Sequence, residues 1–395
     1  LASKLSAMKF RDFGRLDWKV SALGFGCMRL PVLDGNPLGP NIDRAEAGRM
    51  IHCAIDGGVN YFDTAYVYHA GASEAVLGRA LLGGRRQKVK LATKLPVWLV
   101  QSGADFERLL NEQLLRLQTD SIDFYLLHAL NRKRWHDVVL RHDLLDKADA
   151  AIRQGRIRHL GFSFHDSYEG LPEILGGYDH WALCQIQYNY MDTENQAGVK
   201  GLRLAAAKGL AVVVMEPLLG GRLANPPAPI REVMDHSAAR RSPADWALQW
   251  LWDQPEVAVV LSGMSTLPQV EANLDSANRS CVHGFKAADL ALIEQLQRKY
   301  RERTLIPCTQ CNYCMPCPNG VNIPLNFEIF NDARLHEDVP GAQLRYQLFL
   351  ADDARAGACV DCDTCEPQCP QQIPISDWMP KVHALLGGVT SRAAG

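Results

Sequence analysis

Eight of the chain's twelve cysteines fall in two runs, CTQCNYCMPCP (308–318) and CVDCDTCEPQCP (359–370). The second reads C-x2-C-x2-C-x3-C-P. In that spacing three thiolates on a short loop grip one face of an iron–sulfur cubane, and the fourth ligand approaches from elsewhere. The first run is one residue shorter before its last cysteine. A zinc ribbon is the alternative, but it uses two pairs of thiols, not two runs of four closed by proline. A second reactive set stands upstream: Asp63, Tyr68, Lys94 and His128. A tyrosine titrates near ~10, too high for an efficient acid at neutral pH. An ammonium beside it is expected to lower that value, and a carboxylate beside the ammonium holds the ammonium in place. A histidine can orient a substrate oxygen. Together the four would protonate a carbonyl oxygen as hydride reaches its carbon. Singly, each has a blander role: a cap, a packing ring, a surface ion pair, a satisfied core histidine. Their shared placement is what favours chemistry.

That placement depends on the elements between them. Short apolar, β-branched runs recur at 20–26, 59–65, 89–95, 122–128, 157–164, 183–189, 210–217 and 257–264. Most are apolar on both faces, as buried parallel strands are. Amphipathic helical patterns lie between them, including RAEAGRMIHCAIDGG, ADFERLLNEQLLRLQ and SPADWALQWLWDQP, and Ser73 reads as the N-cap of SEAVLGRALLGG. Eight strands alternating with eight helices predict an α/β fold, a (β/α)8 TIM barrel. A doubly wound sheet competes, but GFGCMR (24–29) leads into a Pro- and Gly-rich loop instead of a helix. In a barrel, Asp63, Lys94 and His128 end three successive strands, with Tyr68 five residues beyond Asp63. Barrel chemistry sits at those ends. The sequence divides into a barrel over 8–285, a connecting helix over 286–304 and a Cys- and Pro-rich domain over 305–395. Helical patterns such as GAQLRYQLFLADDA make that last domain mostly helical. The basic end of the connecting helix (Arg298, Lys299, Arg301, Arg303) reads as a solvated face.

Composition excludes other classes. The 395 residues are 47% hydrophobic with a formal net charge of -2. With no long basic tract, nucleic acid is not an expected partner. No apolar run reaches membrane-spanning length. The clustered cysteines and the absence of a secretory signal point to a reducing, cytoplasmic setting. The opening LASKLSA reads as lying outside the fold, with Met8 as the native start. Cys27, Cys53, Cys184 and Cys281 read as small buried residues.

The stretches YFDTAYVYHAGASEAVLGRAL, ATKLP and DFYLLH closely resemble the aldo/keto reductase superfamily, in order from about residue 10 to 280. The resemblance implies that Tyr68 is the general acid, that Lys94 and Asp63 tune it, and that His128 orients the carbonyl. It implies a nicotinamide dinucleotide, NADP(H) or NAD(H), lying extended across the barrel mouth. Gly26, Cys27, Met28 and Asp63 would border it. Ser163 and Gln185 would grip the carboxamide, with Phe164 where an asparagine is usual. Met215 would replace a stacked aromatic ring. Pro217, Leu218, Gly220 and Gly221 would follow the pyrophosphate, and Gly263, Ser265, Gln269 and Asn273 the adenosine. The 263–274 segment has no basic residue for a 2′-phosphate, so NADPH is only leaned to over NADH. Trp98 and Trp135 would either line the substrate pocket or pack. The cysteine runs resemble two-cluster ferredoxins, in which the fourth cysteine of each run serves the other cluster. That resemblance implies two [4Fe-4S] clusters: Cys308, Cys311, Cys314 and Cys369 on one, Cys359, Cys362, Cys365 and Cys317 on the other.

Hydride transfer moves two electrons and a cubane moves one, so the two halves need not exchange electrons. Three readings follow. One is a carbonyl reductase of a small-molecule substrate, with clusters that brace the second domain. Another is an electron-transfer oxidoreductase serving a redox partner protein. The third is a non-catalytic redox sensor, which the intact quartet disfavours.

Overall fold

The computed structural model describes residues 8–37, 39–302, 304–335 and 339–388. The leader 1–7 and Arg303, both interpreted above, lie outside them. Eight parallel strands close a barrel: β3 (Leu23–Gly26), β4 (Tyr61–Asp63), β5 (Lys90–Leu95), β6 (Ile122–Leu130), β7 (Ile157–Phe164), β8 (Leu183–Gln187), β9 (Ala211–Met215) and β10 (Val257–Gly263), with β10 pairing back onto β3. Each matches one of the eight apolar runs. All nine residues of β6 are buried, because one face fills the barrel and the other meets the helices.

Side chains alternate between those two layers. Tyr61, Ala92, Phe124, Leu126, Leu183, Val213, Val259 and Leu261 form one core cluster inside the barrel. Phe62, Leu91, Tyr125, Leu127, Phe162, Ile186, Val214 and Val260 join the larger core under the helices. Two residues beyond the inner set come Asp63, Lys94, His128, Gln185, Met215 and Gly263. The parity that sends Tyr61 or Leu126 into the barrel therefore sends these to its C-terminal mouth.

Two further strands precede the barrel. β1 (Phe10–Phe13) and β2 (Leu16–Ser21) form an antiparallel hairpin. Phe13 packs at 4.7 Å from Phe124 and 5.8 Å from Tyr61, so the hairpin plugs the N-terminal end of the barrel. Gly14 turns it at φ +56°, and a Cβ there would meet the Ala211 nitrogen at 2.4 Å.

Helix Arg44–Asp56 is capped by Asp43, whose side chain accepts from the Ala45 and Glu46 amides, and helix Gly103–Leu117 by a Ser102–Asp105 capping box. Ser73 is not a cap. Helix Ala72–Ala80 starts after Gly71 in a left-handed conformation. The Ser73 hydroxyl instead donates to the Cys27 carbonyl and meets the Thr64 hydroxyl at 2.9 Å each.

The chain divides into two compact units, residues 1–218 with 244–285, and residues 219–243 with 286–395. The second takes in the 219–243 excursion as well as the helix expected to connect. Its helices include Ala228–Asp235, Ala287–Arg301, Ile323–Leu335, Val339–Phe349 and Ile375–Leu386. It has its own core, with Phe327, Tyr346, Met379, Val382 and Leu386 buried. Arg298 and Arg301 are exposed and Lys299 is half-buried.

Candidate active site and cluster cavities

Asp63, Lys94 and His128 stand on adjacent strands β4, β5 and β6. Tyr68 opens the turn Tyr68–Gly71. The next residue, His69, takes φ 52° and is buried. Its Nε2 accepts from the Leu30 amide at 3.1 Å and its Nδ1 meets the Gly39 carbonyl at 2.9 Å, which fixes the turn. The Lys94 ammonium, 1% exposed, donates to Asp63 Oδ1 at 2.5 Å, to the Thr64 carbonyl at 2.8 Å and to Tyr68 Oη at 3.1 Å. Its three protons are thereby satisfied. The His128 and Tyr68 ring centroids stand 6.1 Å apart at 82°. The four residues therefore converge.

Behind Lys94 lies a buried polar layer that the sequence reading passed over. Gln113 donates to Glu74 Oε1 at 2.6 Å and to the Lys94 carbonyl at 3.1 Å, and Thr93 donates to the same Glu74 oxygen at 2.6 Å. The signal was present: Glu74 and Gln113 interrupt the apolar stripes of their helices.

The electrostatics differ from expectation at one point. Burial, with the Asp63 carboxylate adding to it, holds the Tyr68 phenol well above its ordinary range instead of below it. Burial also lowers Lys94 against the pull of Asp63, and raises Asp63 against the pull of Lys94. His128 is pushed well below its usual value by burial and then by the charge of Lys94. The resting site is thus a protonated phenol beside a neutral imidazole.

Most of the residues expected around a dinucleotide lie in the first unit. Gly26 ends β3, and Cys27 and Met28 begin the turn Cys27–Arg29. Ser163 Oγ accepts from the Ala129 amide at 2.7 Å. Gln185 Nε2 reaches the Met215 sulfur at 3.8 Å, and Pro217 and Leu218 follow β9. Ser265 donates through its amide to Gln269 at 2.8 Å, and Asn273 donates to Ser262 at 2.9 Å. Among the described residues, buried Asp63 Oδ2, His128 Nδ1 and Gln185 Oε1 have no hydrogen-bond partner. Orphaned polar atoms at the ends of three alternate strands, β4, β6 and β8, fit a polar ligand that bonds to them across the mouth. Gly220 and Gly221, both at positive φ, belong to the second unit.

Arg29 was missed. Its side chain lies 3.5 Å from where a Gly263 Cβ would stand, and its carbonyl accepts from Ser265 Oγ at 2.8 Å. The aliphatic stem of a basic residue thus borders the 263–274 segment, supplied across the β10–β3 seam. The Trp98 ring lies 5.0 Å from that of His128, tilted by 50°, and is 36% exposed, whereas Trp135 is buried against Trp181 and packs. Cys27 and Cys184 are buried as expected. Cys281 is exposed in the loop after helix Leu267–Asn278, and Cys53 is half-buried on helix Arg44–Asp56.

In the second unit the eight cysteines gather around two cavities. Cys308, Cys311, Cys314 and Cys369 line one of about 300 Å³, and Cys317, Cys359, Cys362 and Cys365 line one of about 350 Å³. Ile323 and Ile375 line both. Among the described residues no three His, Cys, Asp or Glu side chains close on one point as for a single metal ion. The thiols ring a space instead, a donor set that fits a cluster and not zinc. Burial raises the Cys311 thiol to about 12 and the Cys365 thiol to about 11, so holding them as thiolates takes a strong local positive charge.

Among the described residues no helix is long and apolar enough to cross a membrane. The description "Aldo/keto reductase family" matches residues 22–297, and "4Fe-4S dicluster domain" matches 307–373. Among curated proteins, the 6-dehydroglucose reductase of Novosphingobium aromaticivorans is 30% identical over 55% of this chain and 71% of its own length. An aldo-keto reductase (AKR11C1) from Bacillus halodurans, solved in a holo form, superposes with a TM-score of 0.60 at 28% identity, covering 73% of this chain and 96% of its own. A Klebsiella pneumoniae aldo-keto reductase solved in complex with NADPH has the same fold, with a TM-score of 0.59 at 24% identity over 74% of this chain and 95% of its own. The polar quartet at one barrel mouth, the extent of the match and the cysteine cavities lead to one statement: the chain belongs to the aldo/keto reductase family of NAD(P)H-dependent oxidoreductases and carries a 4Fe-4S dicluster domain.

Proposed function

We propose that the barrel reduces the carbonyl of an aldehyde or ketone, with Tyr68 as the general acid. The observation that carries this is Lys94, which bonds Asp63 and Tyr68 at once in a buried position. A reduced nicotinamide dinucleotide bound in the mouth supplies the hydride. Tyr68 gives its proton to the carbonyl oxygen as that oxygen gains charge. The Lys94 N–H on Tyr68 Oη stabilises the phenolate left behind, and Asp63 keeps the ammonium aimed there. Neutral His128 offers a ring N–H that orients the carbonyl. Gln185 Oε1 would accept from the carboxamide of the bound dinucleotide, and Met215 would pack against its ring. Arg29, whose stem lies beside Gly263, would favour NADPH by reaching its 2′-phosphate with the guanidinium. Tyr68→Phe is expected to lower carbonyl reduction by ~10²–10⁴-fold with dinucleotide binding retained. Unchanged turnover removes the assignment.

The second unit holds two [4Fe-4S] clusters, one on Cys308, Cys311, Cys314 and Cys369 and one on Cys317, Cys359, Cys362 and Cys365. The two cavities support this crossed pairing. A second reading, electron transfer to a partner protein, is favoured by the wall of Ile323 and Ile375 common to both, which would set two clusters close enough to exchange electrons. Anaerobic addition of NADPH separates the readings. Bleaching of the iron–sulfur absorbance supports transfer, and carbonyl turnover without bleaching supports clusters that only brace the fold.

A further inference from the structure

The two cysteine cavities differ in what surrounds them. The cavity of Cys308, Cys311, Cys314 and Cys369 has no charged residue in its lining. Arg222 approaches it from outside that lining and donates one terminal nitrogen to the backbone carbonyl of Cys308. The other terminal nitrogen is buried and has no hydrogen-bond partner among the described residues. Thr309, 3% exposed, lines the same cavity, and its buried hydroxyl faces the Cys311 thiol, whose charged form it favours. Burying a guanidinium nitrogen with nothing to bond costs free energy. The Arg222 charge acts on the Cys308 thiol more strongly than the opposing charge of Glu328, and Thr309 acts on Cys311, where a bound cluster would place negative charge.

The other cavity has the opposite surroundings. Asp361 and Asp363 line it, and Cys362 is exposed. Its donors are neutral: Asn319 Nδ2 stands 3.5 Å and Thr364 Oγ1 3.4 Å from Cys362 Sγ. No arginine or lysine lines it.

A cluster becomes more negative by one charge on reduction, so a fixed cation close to it favours the reduced form and raises its potential. From this contrast we infer that Arg222, with Thr309 in a lesser part, sets the reduction potential of the cluster held by Cys308, Cys311, Cys314 and Cys369, and of that cluster alone. Arg222 acts here through its charge, held in place by the Cys308 carbonyl. The inference rests on the reading that both cavities hold clusters. It adds that the two clusters are inequivalent and that one side chain, in the residue after Gly221, controls the difference.

The test is an EPR-monitored redox titration of the anaerobically purified full chain, alongside iron and acid-labile sulfide content. Arg222→Gln keeps a donor for the Cys308 carbonyl but removes the charge. One of two midpoint potentials is expected to fall, the other to stay in place, and Arg222→Lys to restore most of the loss. Thr309→Val, which keeps size and removes the hydroxyl, is expected to lower the same potential by less, and it carries the test if Arg222→Gln loses iron. Two intact signals that do not move in either variant, or that move equally, overturn the inference. Wild-type protein with no iron, no sulfide and no EPR signal overturns the cluster reading itself, a distinct result.

Discussion

Lys94 shows how much a single residue can disclose and where such reading stops. Its type and its place at the end of the third apolar run were enough to pair it with Asp63, Tyr68 and His128, because strand parity sends all such ends to one mouth. The direction of the Tyr68 shift was not legible, since it depends on how deeply the hydroxyl is buried, and sequence spacing carries no depth. With the phenol held up by burial and Asp63, the acid form persists at neutral pH and above. Reduction is therefore expected to keep a constant kcat/KM from about pH 7 to 9. A profile that falls within that window would mean that the Lys94 ammonium outweighs burial. Arg29 escaped notice for another reason: its neighbours Gly263 and Ser265 lie more than two hundred residues away and meet it only because the barrel closes β10 onto β3. Arg29→Ala is expected to raise KM for NADPH about tenfold and to leave KM for NADH nearly unchanged, the size of one lost charge-assisted contact. Equal effects on both coenzymes would place Arg29 on the shared pyrophosphate.

At the scale of elements, the eight barrel strands were legible because burial on both faces writes itself as unbroken apolar runs. The β1–β2 hairpin was not. One of its faces meets solvent, so FRDF and LDWKVS mix charge with apolar residues and read as a polar start. The apolar half of that pattern is what matters. Phe13 is fully buried and Trp18 half-buried, and the two rings stand 5.1 Å apart over the barrel floor. Phe13→Ala is expected to cost about 3–5 kcal/mol in urea unfolding through the cavity it leaves. Because the plug lies at the N-terminal end and the quartet at the C-terminal mouth, kcat measured well below the melting range should hardly change. A large loss of kcat with little loss of stability would show that the hairpin positions the site. Ser73 is a different failure: the cap signal was sound chemically, but the hydroxyl is recruited by Thr64 and the Cys27 carbonyl, partners distant in sequence.

For the whole molecule, each compact unit has its own core, and the assignment of 219–243 to the second unit has no mark in composition. Within the first unit, the acid limit of stability follows from histidines that the fold buries neutral. His165 follows β7, and its ring nitrogen meets Gln196 at 3.2 Å. Burial, opposed by that bond and reinforced by the charges of Arg134 and Lys94, lowers it to about 4. The unfolded chain takes up a proton near ~6.5, and the folded chain resists until about 4. Stability from this residue is thus fully present above pH ~6.5 and is lost as pH falls toward 4, about 3 kcal/mol in all. Asp63 and Glu74 act in the other sense, since burial raises both and protonation relieves them. Total stability against pH is therefore a poor measure, and the difference between two chains is the right one. His165→Asn keeps a polar group for Gln196 and removes the titration. Its urea-unfolding free energy should fall less than the wild type's between pH 7 and 4.5, by up to about 3 kcal/mol. Parallel curves for the two proteins would mean that water reaches the His165 ring in the folded state and that its burial exerts no hold on the proton.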